Sequence, residues 1–380
     1  MVKKLIQKWR KWRFPYTPLV EITISKDRLL HNLRIFQNVN PAVSIAPVLK
    51  SNAYGHGLVL VAKIVDTENI PFIIVDSYHE AMILRNEGVK SAILIIGYTA
   101  LDNILTNKLK CVAFTVVSLE QLEKISENLA KPARFHIKID TGMHRQGVLP
   151  QDIARAKKLI HANKSIIIEG VCSHLADADS KNSEFTDNQI KVWNNTAEEW
   201  KKDFPNTKYF HLSATSGSLY SKQIKTNVLR LGIGLYGIDP SENERLPDLK
   251  PVLEMKSVIS GVKTIEKGER VGYGITFEAP GKMKVASVPA GYHEGIDRRL
   301  SNKGFVKIGN SFCPIVGRVS MNITTVDVSR VPEAALGTAV TLISSNPSDK
   351  NSLAESARLA GTIPYELMVH IPQGLRRKEV

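Results

Sequence analysis

The chain has 380 residues, too many for one small domain, and 43 % of them are hydrophobic, an ordinary globular share. Its 51 Lys and Arg against 37 Asp and Glu give a formal charge of +14, but no zinc-finger, RNP or helix-turn-helix pattern accompanies the excess, so nucleic-acid binding is not expected. No apolar stretch reaches the roughly 20 residues of a spanning helix, and three widely spaced cysteines (Cys111, Cys172, Cys313) suggest neither a disulfide framework nor a metal site, which fits a reducing, cytosolic compartment.

Six positive charges fall within the first 13 residues, at Lys3, Lys4, Lys8, Arg10, Lys11 and Arg13, with no acid among them. Leu5, Ile6, Trp9 and Trp12 recur at helical spacing. Residues 1–16 therefore read as a basic segment able to form an amphipathic helix on an anionic membrane surface or acidic partner. A terminal extension that docks on its own domain or stays loose is the commoner outcome. The start lacks the apolar core of a secretory signal.

Residues 17–250 read as one unit. A helical stretch at 26–37 precedes eight short apolar runs: VSIAPV (43–48), PFIIV (71–75), AILII (92–96), CVAFTV (111–116), RFHIKI (134–139), IIIEGV (166–171), KYFHL (208–212) and NVLRL (227–231). They are continuous rather than alternating, as expected of strands buried on both faces. Between them lie segments such as SLEQLEKISENLA, with apolar residues at three-to-four spacing. Eight such units indicate an α/β fold, a (β/α)8 TIM-type barrel. An open doubly wound sheet is the alternative, but no G-x-G-x-x-G follows the first run. Residues 251–380 change character to short runs with alternation and glycine turns, read as a mostly-β domain that closes with a short helix near 351–360.

VLKSNAYGHG (48–57) stands at the C-terminal end of the first barrel strand, where barrel enzymes place their active sites. A partly desolvated lysine there can condense with an aldehyde. A lone lysine ending a strand is most often an ordinary surface residue. The ten-residue string changes that reading, because it resembles the alanine racemase motif V-x-K-A-[DN]-x-Y-G-H-G and departs from it only at Ser51. The resemblance runs from about Leu19 to Tyr365, with further motifs in order.

The resemblance implies pyridoxal 5'-phosphate (PLP) held by Lys50 as a Schiff base. KIDTGMHRQG (138–147) supplies Arg145 for the substrate carboxylate and Lys138 as a lysine carbamylated in many members. SHLADAD (173–179) supplies His174 near the cofactor ring and Asp179 at the pocket. HLSATSG (211–217) and VLRLGIGLYG (228–237) supply Ser216, Gly232 and Ile233 for the phosphate, completed by Tyr54 and by Tyr365 of GTIPYEL. Loops after barrel strands 7 and 8 suit phosphate on physical grounds as well. Arg230 matches the arginine facing the pyridine nitrogen.

RVGYGITF (270–277) matches the second catalytic group, Tyr273, which in the family comes from the other subunit of a homodimer with shared active sites. Racemisation needs acid–base groups on both faces of a planar carbanion, and one lysine cannot serve both. A tyrosine hydroxyl ordinarily titrates near pH ~10, so Arg145 and His174 are expected as cationic neighbours. AGYHEGIDRR (290–299) and GRVSMN (317–322) supply Tyr292, Arg298, Arg318 and Met321 around the substrate entry and carboxylate pocket. Thr215 and Asn322 replace the usual Asn and Asp and leave the choice of amino acid open between alanine and a broader, serine or lysine preference. A fold-type III decarboxylase and a non-catalytic cofactor-binding protein are the remaining alternatives; Arg230 argues against the first and the complete second domain with Tyr273 against the second. The implied activity is alanine racemisation for peptidoglycan precursors.

Overall fold

The computed structural model describes residues 16–39, 41–180, 182–220, 222–241, 246 and 248–380. The basic helix expected over residues 1–16 lies outside them, Tyr16 apart.

Nine strands precede residue 232 among the described residues: β1 (Glu21–Ile24), β2 (Ser44–Pro47), β3 (Ile73–Val75), β4 (Ile93–Ile95), β5 (Val112–Val116), β6 (Ala133–Lys138), β7 (Ile166–Cys172), β8 (Tyr209–His211) and β9 (Val228–Leu231). The eight from β2 to β9 are those expected from the sequence. β3 to β8 pair in parallel in chain order, and β2 pairs with β9 in parallel. A bridge between Val48 and Ile74 joins β2 to β3. Main-chain bonds from Asn227 N to Phe210 O (3.0 Å) and Arg230 N to Ser213 O (3.1 Å) join β8 to β9 and close the circle. Every residue of β3, β4 and β5 is buried, because helices cover the outside while side chains fill the inside.

Local signals start the covering helices. Ser77 Oγ accepts from Glu80 N at 3.2 Å and opens the helix Tyr78–Asn86; Ser118 Oγ does the same for Gln121 N and the helix Leu119–Asn128. The latter lays Leu122 and Ile125 on the barrel and leaves its charged face outside.

The second domain is mostly strand, as expected: β10 (Leu253–Val258), β11 (Gly261–Ile265), β12 (Arg270–Val271), β13 (Phe277–Glu278), β14 (Met283–Val288), β15 (Phe305–Ile308), β16 (Ser311–Pro314), β17 (Thr324–Asp327), β18 (Ala339–Ile343) and β19 (Arg376–Glu379). Its main sheet has the order β16-β15-β18-β10-β1-β19. β1 falls within the stretch 17–250 read as barrel, yet its partners are β10, antiparallel, and β19, parallel. Alternation in EITI, two residues out and two in, suits a one-sided sheet rather than a barrel wall. The short helix expected near 351–360 spans Leu353–Ala360, and a second, Pro364–Val369, follows it. Among the described residues no helix is long and apolar enough to cross a membrane.

Candidate active site at the barrel mouth

The segment after β2 turns left-handed. Ser51, Asn52, Ala53 and Tyr54 have φ of 56, 57, 53 and 50°, and Gly55 follows at 79°. Each L-residue in that region costs about 1–2 kcal/mol, so the turn must be held by its surroundings. Ala53 N donates to Leu49 O at 2.8 Å and Gly57 N to Asn52 O at 2.9 Å. Asn52 Oδ1 accepts from Leu58 N at 2.9 Å, and Asn52 N donates to Glu80 Oε1 at 3.3 Å. Strain of this kind is tolerated where it places functional groups. Here it brings Lys50 and the Tyr54 hydroxyl into one cavity.

That cavity, about 540 Å³, is lined by Lys50, Tyr54, Arg145, His174, Asp179, Ser216, Gly232, Ile233 and Tyr365, all named from the sequence. An adjoining chamber of about 430 Å³ shares Lys50, Tyr54, Arg145, His174 and Gly232, and adds Lys138 and Arg230. Every one of these barrel residues sits at or beyond the C-terminal end of a strand, except Arg230, which lies within β9.

Arg230 is the centre of the buried polar network. Nη1 donates to His211 O at 2.6 Å and to His211 Nδ1 at 2.9 Å. Nη2 shares its two hydrogens among Ser173 O and Leu212 O, both at 2.8 Å, and His174 Nδ1 at 2.9 Å. These bonds offset the cost of burying the charge. His174 is held well below the usual histidine range by burial, and further by the charges of Arg230, Lys138, Arg145 and Lys50. It is therefore neutral. Because a guanidinium only donates, His174 Nδ1 accepts and its single proton rests on Nε2. His174 therefore adds no positive charge here, contrary to the expectation of a cationic neighbour for Tyr273.

The end of the cavity around Ser216 fits a phosphate. Ser216 Oγ and Ser213 Oγ are buried without a hydrogen-bond partner. Gly232 lets the Tyr54 hydroxyl come close; a Cβ there would stand 3.0 Å from it. Burial pushes Tyr54 up to about 12 and raises Tyr365 further, so both hydroxyls keep their protons and can donate to an anion. The two rings lie 5.9 Å apart. Thr215 instead braces the main chain nearby, where its Oγ1 accepts from Gly234 N at 3.1 Å.

Lys138 is buried, and burial foremost, with Arg230, Arg145 and Lys50 added, lowers its pKa. Its Nζ donates to Gln146 Oε1 at 3.3 Å. Lys50 Nζ lies 4.0 Å from Asp76 Oδ1. Neither Gln146 nor Asp76 was singled out from the sequence. Asp76 directly follows β3, so the rule that barrel chemistry collects at C-terminal strand ends could have found it.

Tyr273, Tyr292, Arg298, Arg318 and Met321 line neither chamber of the single chain. They group on the second domain instead. Gly274 packs against the Arg318 guanidinium so closely that a Cβ would crowd it, 3.0 Å from Cζ, and Tyr292 N and His293 N donate to Ser320 O and Met321 O at 3.0 and 2.9 Å. Tyr273 is 70 % exposed, Met321 56 % and Tyr292 43 %. Asn322 Nδ2 donates to Glu294 Oε1 at 2.7 Å, a bond that an aspartate could not make in its ionised form.

Comparison with known proteins agrees with this geometry. The family model for the N-terminal domain of alanine racemase matches residues 24–240, and that for its C-terminal domain residues 252–379. An alanine racemase of Lactobacillus gasseri is 36 % identical over 342 residues, 87 % of this chain and 89 % of that protein. One from Methanococcus maripaludis is 33 % identical over 91 % of this chain and 94 % of that protein. The solved alanine racemase of Clostridium difficile 630 superposes with a TM-score of 0.87 at 30 % identity, covering 96 % of both chains. That of Bacillus anthracis with bound L-Ala-P superposes at 0.88 and 30 %, covering 97 % of this chain and 96 % of that one.

Proposed function

The chain belongs to the alanine racemase family, and on that premise we propose that it interconverts L- and D-alanine with PLP bound at Lys50. The observation that carries the reading is the cavity that joins Lys50 to an unpartnered Ser216 hydroxyl and two protonated tyrosines. When bound, PLP supplies an aldehyde for the amino group and a conjugated ring that withdraws electrons from the α-carbon.

The chain's own groups do the rest. Ser216, Tyr54, Tyr365 and the main chain at Gly232 and Ile233 hold the phosphate. Arg230, buried and bonded through both terminal nitrogens, would present a fixed cation to the ring nitrogen. A cation there disfavours protonation of that nitrogen and limits side reactions. Arg145 takes the substrate carboxylate. Lys50 moves the α-proton on one face and Tyr273 of a second copy moves it on the other. Exposure of Tyr273, Tyr292 and Met321 in the single chain supports a dimer that covers them. Arg298 and Arg318 would then flank the entry.

Lys138 fits a carbamate. Only a neutral amine adds CO2, releasing one proton, and the product anion would sit among Arg145, Arg230 and Lys50, the cations that act on Lys138. The resulting D-alanine suits peptidoglycan precursors made in the cytoplasm. The test is a panel of chiral amino acids with the purified holoenzyme. L-alanine should give D-alanine faster than serine or lysine is racemised. No racemisation of any amino acid would overturn the reading.

A further inference from the structure

The network behind Arg230 continues through the barrel interior. The outer nitrogen of His211, Nε2, lies 2.7 Å from His136 Nδ1, and both rings are buried. Both are neutral. Burial first, then the Arg230 charge, pulls His136 down to about 3; burial, His136 and Arg230 hold His211 well below its ordinary range.

The proton positions follow from donor counting. Arg230 donates to His211 Nδ1, so that nitrogen must accept. A neutral imidazole has one N–H, which for His211 is then on Nε2. It donates to His136 Nδ1, and His136 must hold its own proton on Nε2. Only this direction satisfies the chain; the reverse would set two N–H groups against each other at Arg230. His136 also borders a separate cavity of about 170 Å³ with Phe72, Arg134 and Glu169.

The fold makes room for this ring. β6 slips register against β7 between Phe135 and His136. Gly170 lies opposite, where a Cβ would stand 2.5 Å from His136 Nδ1. Tyr209 stacks on the ring at 5.7 Å and Phe72 meets it edge-on at 5.5 Å. An apolar ring would fill the same space but leave the His211 donor buried and unpaired.

We propose that His136 is a positioning residue for Arg230: its Nδ1 accepts the hydrogen bond that fixes the His211 tautomer, and His211 then holds the guanidinium toward the cofactor site. The proposal rests on the reading of Arg230 as the group facing the cofactor ring.

Nitrogen NMR of histidine-labelled, cofactor-free protein near neutral pH reads the tautomers. His136 and His211 should both be neutral with the proton on Nε2. A proton on Nδ1 of either, or a charged ring, overturns the proposal. Two variants separate positioning from packing. His136→Asn keeps an acceptor near the Nδ1 position, and His136→Phe keeps the volume without one. PLP titration should show affinity within about threefold of the parent for the first and roughly tenfold weaker for the second, the loss expected of one buried hydrogen bond. Equal affinities, or equal losses, would make His136 a packing residue only. If neither variant folds, the tautomers of the unaltered chain decide. Expected tautomers in a protein without racemase activity would fault the reading of the site, not the strut behind Arg230.

Discussion

Gly55 packs its α-carbon onto the main-chain carbonyl of Met368, so closely that a Cβ would stand 2.0 Å from the oxygen. Met368 belongs to the helix Pro364–Val369, which carries Tyr365. The contact therefore fixes the left-handed turn over residues 51–55, which follows Lys50 and carries Tyr54, against the helix of the second domain that carries Tyr365. Arg377 adds to it, donating from Nε to Gly55 O at 2.7 Å.

Gly55→Ala should be costly on two counts. Its φ of 79° disfavours any L-residue, and the carbonyl cannot yield as a flexible side chain could. A loss of about 3 kcal/mol is expected, with weakened PLP retention. Thermal unfolding and cofactor absorbance of the dialysed protein measure both. A variant that keeps parental stability and PLP would show that the turn does not depend on this contact.

Ser216→Ala removes a buried hydroxyl that no protein group satisfies. Without cofactor the change should leave stability within about 0.5 kcal/mol of the parent. With cofactor it should weaken PLP binding roughly tenfold, the value of one hydrogen bond to a charged group. Fluorescence titration with PLP separates the two effects. Unchanged affinity would place the phosphate elsewhere.

Acid should unfold the protein early. Burial holds His56 down to about 4 and His136 to about 3, and His174 and His211 well below their ordinary range. Their unfolded values lie near ~6.5. Between those limits the unfolded chain binds protons that the native chain does not, so stability rises with pH and is lost as pH falls. Each histidine contributes up to about 1.4 kcal/mol per pH unit in that window. Denaturant unfolding at several pH values should show uptake of two or more protons between pH ~6 and ~5. A flat profile there would contradict the neutral, buried network around Arg230.

The barrel was legible in the sequence because its strands are short apolar runs with capped helices between them. Strand β1 was not. Its EITI pattern precedes the first barrel run by about one helix, and nothing local says that its partners lie more than 200 residues away in β10 and β19. The barrel residues that line the two chambers were legible as motifs at strand ends. The charge state of His174 was not, because it depends on burial and on Arg230 arriving from another strand. His136 and His211 read as ordinary strand positions in RFHIKI and KYFHL. Only closure of the barrel sets them side by side.

If Tyr273 works on the partner's substrate, Lys50→Ala and Tyr273→Phe should each lower racemisation by about 10² to 10⁴. Mixed and refolded or co-expressed, the two inactive chains should regain up to roughly a quarter of parental activity, since half of the dimers are hybrids with one intact site. Racemisation assays on the purified mixture measure this. No recovery in confirmed hybrids would put Tyr273 and Lys50 in the same chain's site.

The most direct test of Lys50 as the cofactor lysine is borohydride reduction of the PLP-loaded protein, followed by peptide mapping. The pyridoxyl group should be found on Lys50, in the peptide containing SNAYGHG, and the reduced protein should no longer convert L-alanine to D-alanine. A label on another lysine, or full racemisation after stoichiometric reduction, would contradict the assignment of Lys50 and the mechanism built on it.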